Sequence, residues 1–149
     1  MAATCFKPNA ARRVFPCWDE PAIKATFDIS VTHDQKYGAL SNMPIREQHV
    51  VQDGIVRTCF NTTPIMSTYL VAIVISDFVR VPNANGTINM WCSSSLTSQI
   101  KFAHSIAEKV PSLLAQYINS SEKVPKMDHI MIQDYPIDSI ENWGIIIYK

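Results

Sequence analysis

A chain of 149 residues is long enough for one ordinary domain with its own core, and 47% apolar with 17% charged residues is the balance of a globular protein. Thirteen Lys and Arg offset thirteen Asp and Glu, and the basic residues form no run or stripe, so nothing points to nucleic acid or an anionic membrane as a partner. No apolar run approaches the roughly 20 residues of a membrane-spanning helix, and residues 1–9 lack the apolar centre of a signal peptide.

The first ninety residues read as strands. Phe27 to Thr32 alternates apolar and polar with period two. Ala39 to Ile45 predicts a short strand ending near Pro44. Val50-Val51-Gln52 and Ile55-Val56-Arg57 flank Asp53-Gly54, a strong two-residue hairpin signal. Tyr69 to Ile75 is apolar throughout, as suits a strand buried on both faces. Thr87 to Cys92 predicts a further strand after the turn at Asn83-Ala84-Asn85-Gly86. Short strands at this spacing predict a sandwich or saddle of antiparallel sheets.

From Ala103 the pattern changes. Ile106, Ala107, Val110, Leu113, Leu114, Tyr117 and Ile118 follow helical periodicity. Pro111 interrupts it, because its ring clashes with the Ala107 carbonyl, so a kink or two consecutive helices are expected. Asn119-Ser120-Ser121-Glu122 ends the helical stretch. Asp128 to Ile132 and Gly144 to Tyr148 are then strands, joined through a turn at Asp134-Tyr135-Pro136. The fold class is mainly β with an α+β C-terminal part. The boundary falls near Asn89, dividing the chain into 1–88 and 89–149. The apolar stretch Gly144–Tyr148 is expected to lie uncovered and to pair with other chains.

Cysteines at 5, 17, 59 and 92 show no C-x-x-C spacing, so zinc ribbons and thioredoxin-like motifs are excluded, and free, buried thiols are favoured. His33, His49, His104 and His129 never pair at helical i, i+4 spacing, so no helix carries a zinc-binding histidine pair. No metal ligand set is assigned. Sequons at Asn61, Asn85 and Asn119 lean toward a secreted or membrane-anchored parent.

Two motifs are more specific. One is Ala11-Arg12-Arg13-Val14-Phe15-Pro16-Cys17-Trp18-Asp19-Glu20-Pro21, followed by Lys24-Ala25-Thr26-Phe27; the other is Asp138-Ser139-Ile140-Glu141-Asn142-Trp143-Gly144. Together they resemble the zinc aminopeptidases of the gluzincin clan, of the aminopeptidase N and puromycin-sensitive type. Pro64, Met66-Ser67-Thr68-Tyr69-Leu70-Val71-Ala72 and Asn42-Met43-Pro44 also fit that family. The resemblance implies the back half of the family's N-terminal β domain over 1–88, followed over 89–149 by the opening of a thermolysin-like catalytic domain. The family's His-Glu-x-x-His motif is expected beyond Lys149.

In the family, a glutamate of the exopeptidase signature anchors the substrate's free α-ammonium through charge-assisted hydrogen bonds. That position here is Glu141, with Asn142 beside it. Three departures stand out. Asp138-Ser139 replaces Gly-Ala, where the substrate backbone runs close; Ile140 replaces Met. Ala3-Thr4-Cys5-Phe6-Lys7-Pro8 resembles the family's Thr-Gln-x-Glu/Gln segment, so Cys5 and Lys7 stand where the family has polar or acidic pocket residues. Lys7 is a cation that would repel an ammonium. The substrate-binding set is therefore Cys5, Lys7, Ser139, Ile140, Glu141 and Asn142.

Phe15 to Pro21 reads as structural: two prolines fix the backbone, while two aromatics and a thiol fill a core. Adjacent Asp19 and Glu20 point to opposite faces of an extended chain, so pairing of one of them with Arg12 or Arg13 is favoured over a catalytic carboxylate pair. Serine hydrolase and phosphate-loop contexts are absent from the sequence.

The resemblance implies part of a metalloaminopeptidase, a hydrolase that removes N-terminal residues from peptides with zinc-activated water. The chain itself is expected to supply the amine-anchoring Glu141, to bind no zinc and to be inactive alone. The alternative is a non-catalytic module that binds peptide ends or a protein partner. The partners implied are peptides with a free N-terminus. The parent is expected at the plasma membrane or outside the cell, with the cytoplasm as the alternative.

Overall fold

The computed structural model describes residues 1–84, 86–119 and 124–149. In chain order the first six strands are β1 (Ala2–Ala3), β2 (Ser30–Asp34), β3 (Gly38–Ser41), β4 (Ile45–Gln52), β5 (Ile55–Phe60) and β6 (Ile73–Ser76). After them come β7 (Val79–Pro82), β8 (Ile88–Cys92), helices α1 (Lys101–Ala107) and α2 (Val110–Tyr117), and strands β9 (Met127–Met131), β10 (Ser139–Asn142) and β11 (Ile145–Tyr148).

Two antiparallel three-stranded sheets, ordered β1-β6-β3 and β2-β5-β4, precede a mixed five-stranded sheet ordered β10-β11-β9-β8-β7. In the mixed sheet, β8 with β9 and β9 with β11 run parallel. The mainly β class with an α+β C-terminal part holds. The β4–β5 hairpin turns at Asp53-Gly54 as its sequence dictates, with Gly54 at φ 71°.

Several predicted elements shift. β2 starts at Ser30 rather than Phe27 because its partner β5 ends at Phe60; Phe27 instead exchanges hydrogen bonds with Thr63. The apolar run Tyr69–Ile75 is a strand only from Ile73. Thr68–Leu70 forms a 3-10 turn, and the Asn42 side chain takes up the backbone that follows, donating to the Leu70 carbonyl and accepting from the Ala72 amide. Strands β7 and β10 carry no alternation strong enough to be read in advance. Because β7 pairs with β8, the five-stranded sheet begins at Val79, ahead of the 88/89 boundary expected from the change of pattern and from the resemblance. Two consecutive helices form around Pro111, which occupies the first turn of α2, where its missing N–H costs nothing. The predicted helix end at 120–122, the sequon at Asn85 and the second half of the Asn119 sequon lie outside the described residues.

The main core lies between one face of the five-stranded sheet and the β1-β6-β3 sheet. Ile130, Ile140, Ile145 and Ile147 meet Leu40, Ala72 and Val74 there. β11 is an inner strand between β9 and β10, and Ile145 and Ile147 are fully buried. The expectation of an uncovered β11 is thus corrected: the sheet pairs it on both sides. On the opposite face, Ile88, Met90 and Cys92 meet Ile100 and Ala107. A third cluster joins Phe6, Ala11, Met66 and Val71 with Phe15, Phe27, Cys17 and Trp143. Phe15 packs edge-on against both Phe6 and Phe27, but Trp18 is 78% exposed and fills no core. The Asp19 carboxylate accepts from the Thr68 hydroxyl at 2.7 Å and from the Arg12 amide and guanidinium at 3.1 and 3.3 Å. Burial opposes its ionisation, yet these donors hold its pKa below the ordinary value. All four cysteines are free, but only Cys92 is buried, while Cys5, Cys17 and Cys59 are half-buried.

Candidate functional site

β10 carries the signature residues, and strand pleating divides them. Ser139 and Glu141 point outward, while Ile140 and Asn142 point inward. Ile140 therefore belongs to the main core rather than sharing a face with Glu141. Asp138 is also exposed.

The turn after β10 is fixed by packing. Gly144 has φ 71°, and a Cβ there would collide with the Asn42 carbonyl oxygen and lie 3.3 Å from the Lys126 carbonyl oxygen. Only glycine fits. The fully buried Asn42 donates from Nδ2 to the Trp143 carbonyl at 2.8 Å and to the Leu70 carbonyl at 2.7 Å. Beside it the buried Lys126 ammonium donates to the Ser41 carbonyl (2.5 Å), the Asp128 carboxylate (2.6 Å) and the Gly144 carbonyl (3.0 Å). Three donors and three acceptors match, as an ammonium removed from water requires. Burial still pushes the Lys126 pKa down, against the pull of Asp128. The other Asp128 oxygen accepts from Asn89 Nδ2 at 2.8 Å and Trp91 Nε1 at 3.1 Å. This network joins the Ser41-Asn42 corner to the five-stranded sheet and sets where β10 ends.

Across from this turn stands Lys7. Its ammonium lies 2.5 Å from Glu141 Oε1 and 2.6 Å from the Glu141 carbonyl oxygen, and 5.6 Å from the centre of the Tyr69 ring. The hydrogen bond from Lys7 holds the Glu141 carboxyl below its ordinary pKa, despite some burial. The Glu141 side chain is 76% exposed, so the pair is open to solvent. Cys5 is half-buried against the main core. Burial, with a smaller contribution from the Cys5 thiol, raises the Tyr135 hydroxyl to about 12.

The structure thus brings Lys7 and Glu141 together, leaves Ser139 on the same outer face, and turns Ile140 and Asn142 inward. Sequence reading missed Lys126 and Asp128, and it read Asn42 only as part of a turn. A lysine directly after Pro125 and two residues ahead of Asp128 was the available signal.

Comparison with known proteins agrees with this architecture. Residues 1–70 match the Peptidase M1 N-terminal domain. The whole chain is 37% identical to human glutamyl aminopeptidase, 41% identical to aminopeptidase M1 of Arabidopsis thaliana and 37% identical to mouse endoplasmic reticulum aminopeptidase 1. It spans 16–17% of the length of these relatives. With residues 1–70 matching the N-terminal domain of that family, and similarity to its aminopeptidases that runs through the Glu141 turn to the last residue, the chain resembles the M1 aminopeptidases along its whole length.

Proposed function

We propose that this chain is the amine-recognising part of a zinc aminopeptidase that removes N-terminal residues from peptides, with Glu141 as the anchor of the substrate's α-ammonium. The observation that carries this reading is the Lys7–Glu141 contact. A primary ammonium sits on the Glu141 carboxylate and its own carbonyl at 2.5 and 2.6 Å, which is how a peptide's terminal ammonium would be held. The residues proposed to meet substrate are Glu141, Ser139, Cys5 and Lys7, with Ile140 and Asn142, both turned inward, supporting the strand from within. The proposed division remains a β unit over 1–88 and the opening of a thermolysin-like unit over 89–149.

In the family, zinc supplies activated water for hydrolysis. The part assigned to this chain is binding and orientation, and by itself it is proposed to be inactive. Asn61 is exposed and available as a glycosylation site. Among the described residues no helix is long and apolar enough to cross a membrane; a plasma-membrane or extracellular parent is proposed from the sequons.

The same contact favours a second reading, in which the chain is a non-catalytic module. Lys7 already occupies the anchor, so an incoming ammonium must displace it. Binding of a short peptide and of its N-acetyl form to the full chain, followed by calorimetry, separates the readings. Lys7→Ala should bind the free-amine peptide several-fold more tightly than the parent chain and leave the acetylated peptide unbound, and Glu141→Gln should remove that preference. Equal binding of both peptides by Lys7→Ala would refute Glu141 as the anchor.

A further inference from the structure

The outer face of the β2-β5-β4 sheet holds a second group of functional side chains, unconnected with Glu141. Glu47 and His49 are two residues apart on β4, so pleating puts both on one face. Cys59 on β5 lies directly opposite Glu47 in the ladder. One carboxylate oxygen, one imidazole nitrogen and one thiol sulfur consequently lie within 4.8 Å of one another, and no other cluster of three such residues forms among the described residues. Glu47 Oε2 and His49 Nε2 are 3.3 Å apart.

The distances suit a small cation. Zinc binds oxygen and nitrogen at about 2.0–2.2 Å and sulfur at about 2.3 Å, so tetrahedral donors stand roughly 3.3–3.7 Å apart. The carboxylate and imidazole already meet that spacing, and side-chain rotation closes what remains between them and the thiol, which lies within 4.8 Å of both. The ladder is regular from Glu47 to Val50, between irregularities at either end, which fixes the Cβ positions. A shallow groove of about 350 Å³, lined by His49 and Cys59 among others, leaves room for water as a fourth ligand.

The neighbouring cations do not block the donors. Arg46 holds Glu47 Oε1 at 3.3 Å and leaves Oε2 free. Arg57, opposite His49, donates to the Ser30 hydroxyl at 3.1 and 3.3 Å. Sulfur, nitrogen and oxygen donors in one set select a borderline metal over Ca²⁺ or Mg²⁺, which take oxygen alone.

We propose that Glu47, His49 and Cys59 form a three-ligand site for Zn²⁺ or a cation of its class, with water completing the tetrahedron, on a sheet separate from the Lys7–Glu141 pair. Binding replaces the Cys59 S–H bond by a metal–thiolate bond and releases the proton to solvent. Helical spacing rules do not register this set, because its two parts follow strand period and cross-strand register.

Titration of the full chain with Co²⁺, followed by absorption, tests the site. One equivalent should produce a thiolate-to-cobalt charge-transfer band that Zn²⁺ then removes. Cys59→Ser should abolish the band. Glu47→Gln and His49→Gln alter exposed side chains that the fold does not need, and each should weaken binding at least ten-fold, while Cys5→Ser and Cys17→Ser should leave it unchanged. Absence of a thiolate band, its survival in Cys59→Ser, or unchanged affinity in both exposed-ligand variants would overturn the assignment.

Discussion

The two faces of the five-stranded sheet are built to different standards. One face is sealed: Ile130, Ile145 and Ile147 have no exposed surface, and beside them the Lys126 ammonium and the Asn42 amide are fully paired, although Asn142 Nδ2 and Trp143 Nε1 in the adjoining turn are buried without a partner. The other face meets α1 and α2 across an apolar cavity of about 570 Å³ whose lining includes Phe102, Ile106, Leu114 and His129. Every residue of α2 is at least partly exposed, with Leu113 62% and Tyr117 88% exposed. The sealed face fixes the position of the candidate site, and the loose face contributes little to it. Apolar composition alone does not separate the two; what does is whether the neighbouring layer fits closely enough to exclude space.

Substitutions can break this contrast, and the largest effects are expected at Gly144 and Lys126. Gly144→Ala forces both a collision with the Asn42 carbonyl and an unfavourable φ, which should cost about 3 kcal/mol or more in urea unfolding. Lys126→Met leaves the Asp128 charge buried without its partner and should cost about 3–5 kcal/mol; adding Asp128→Asn should recover part of that loss. On the apolar side of the comparison, Ile145→Ala should cost about 2–5 kcal/mol and Leu114→Ala less than about 1 kcal/mol. Equal costs for those two would show that the faces are equally well packed.

A pH series sharpens the picture on the loose side. His129 faces the cavity, and burial lowers its pKa below 6.5, with His104 adding to the shift and Asp128 opposing it. The unfolded chain therefore binds the proton first. Stability supplied by neutral His129 is present above pH 6.5 and falls as pH drops from there through the folded-state pKa. Denaturation midpoints should decline across that window, and His129→Gln should flatten the decline. The smallest effect is expected from Lys7→Ala. Its partner Glu141 is mostly exposed, so the fold should lose no more than about 0.2–1 kcal/mol, even though amine binding is predicted to change several-fold.

Much of this was readable from residues because the controlling physics is local. Asp53-Gly54 fixed its hairpin, Pro111 divided two helices, and Arg12 found Asp19. Other features depended on partners distant in sequence. Tyr69 to Ile75 has strand composition, yet Asn42, some thirty residues away, binds the backbone at Leu70 and Ala72. Ile140 looked like a pocket residue until pairing of β10 with β11 set which way it points. Trp18 was assigned to a core by its type and proved exposed. Lys126 could not be placed inside by composition, since lysine is buried only where three acceptors converge, and those come from Ser41, Asp128 and Gly144. The signature motif identified Glu141, but not that Lys7 sits on it.

The bond from Asn42 to Trp143 spans 101 residues of chain, and that span bears on how the molecule assembles. Closing so long a loop adds only modestly to the entropic cost, because the cost grows with the logarithm of length, but contacts this remote in sequence slow the search for the native arrangement. The β4–β5 hairpin can form from neighbours alone. The Glu141 turn can lock only when Asn42 and Trp143 have met. Its amides should therefore be among the last to gain protection in pulsed hydrogen exchange, well after those of the hairpin.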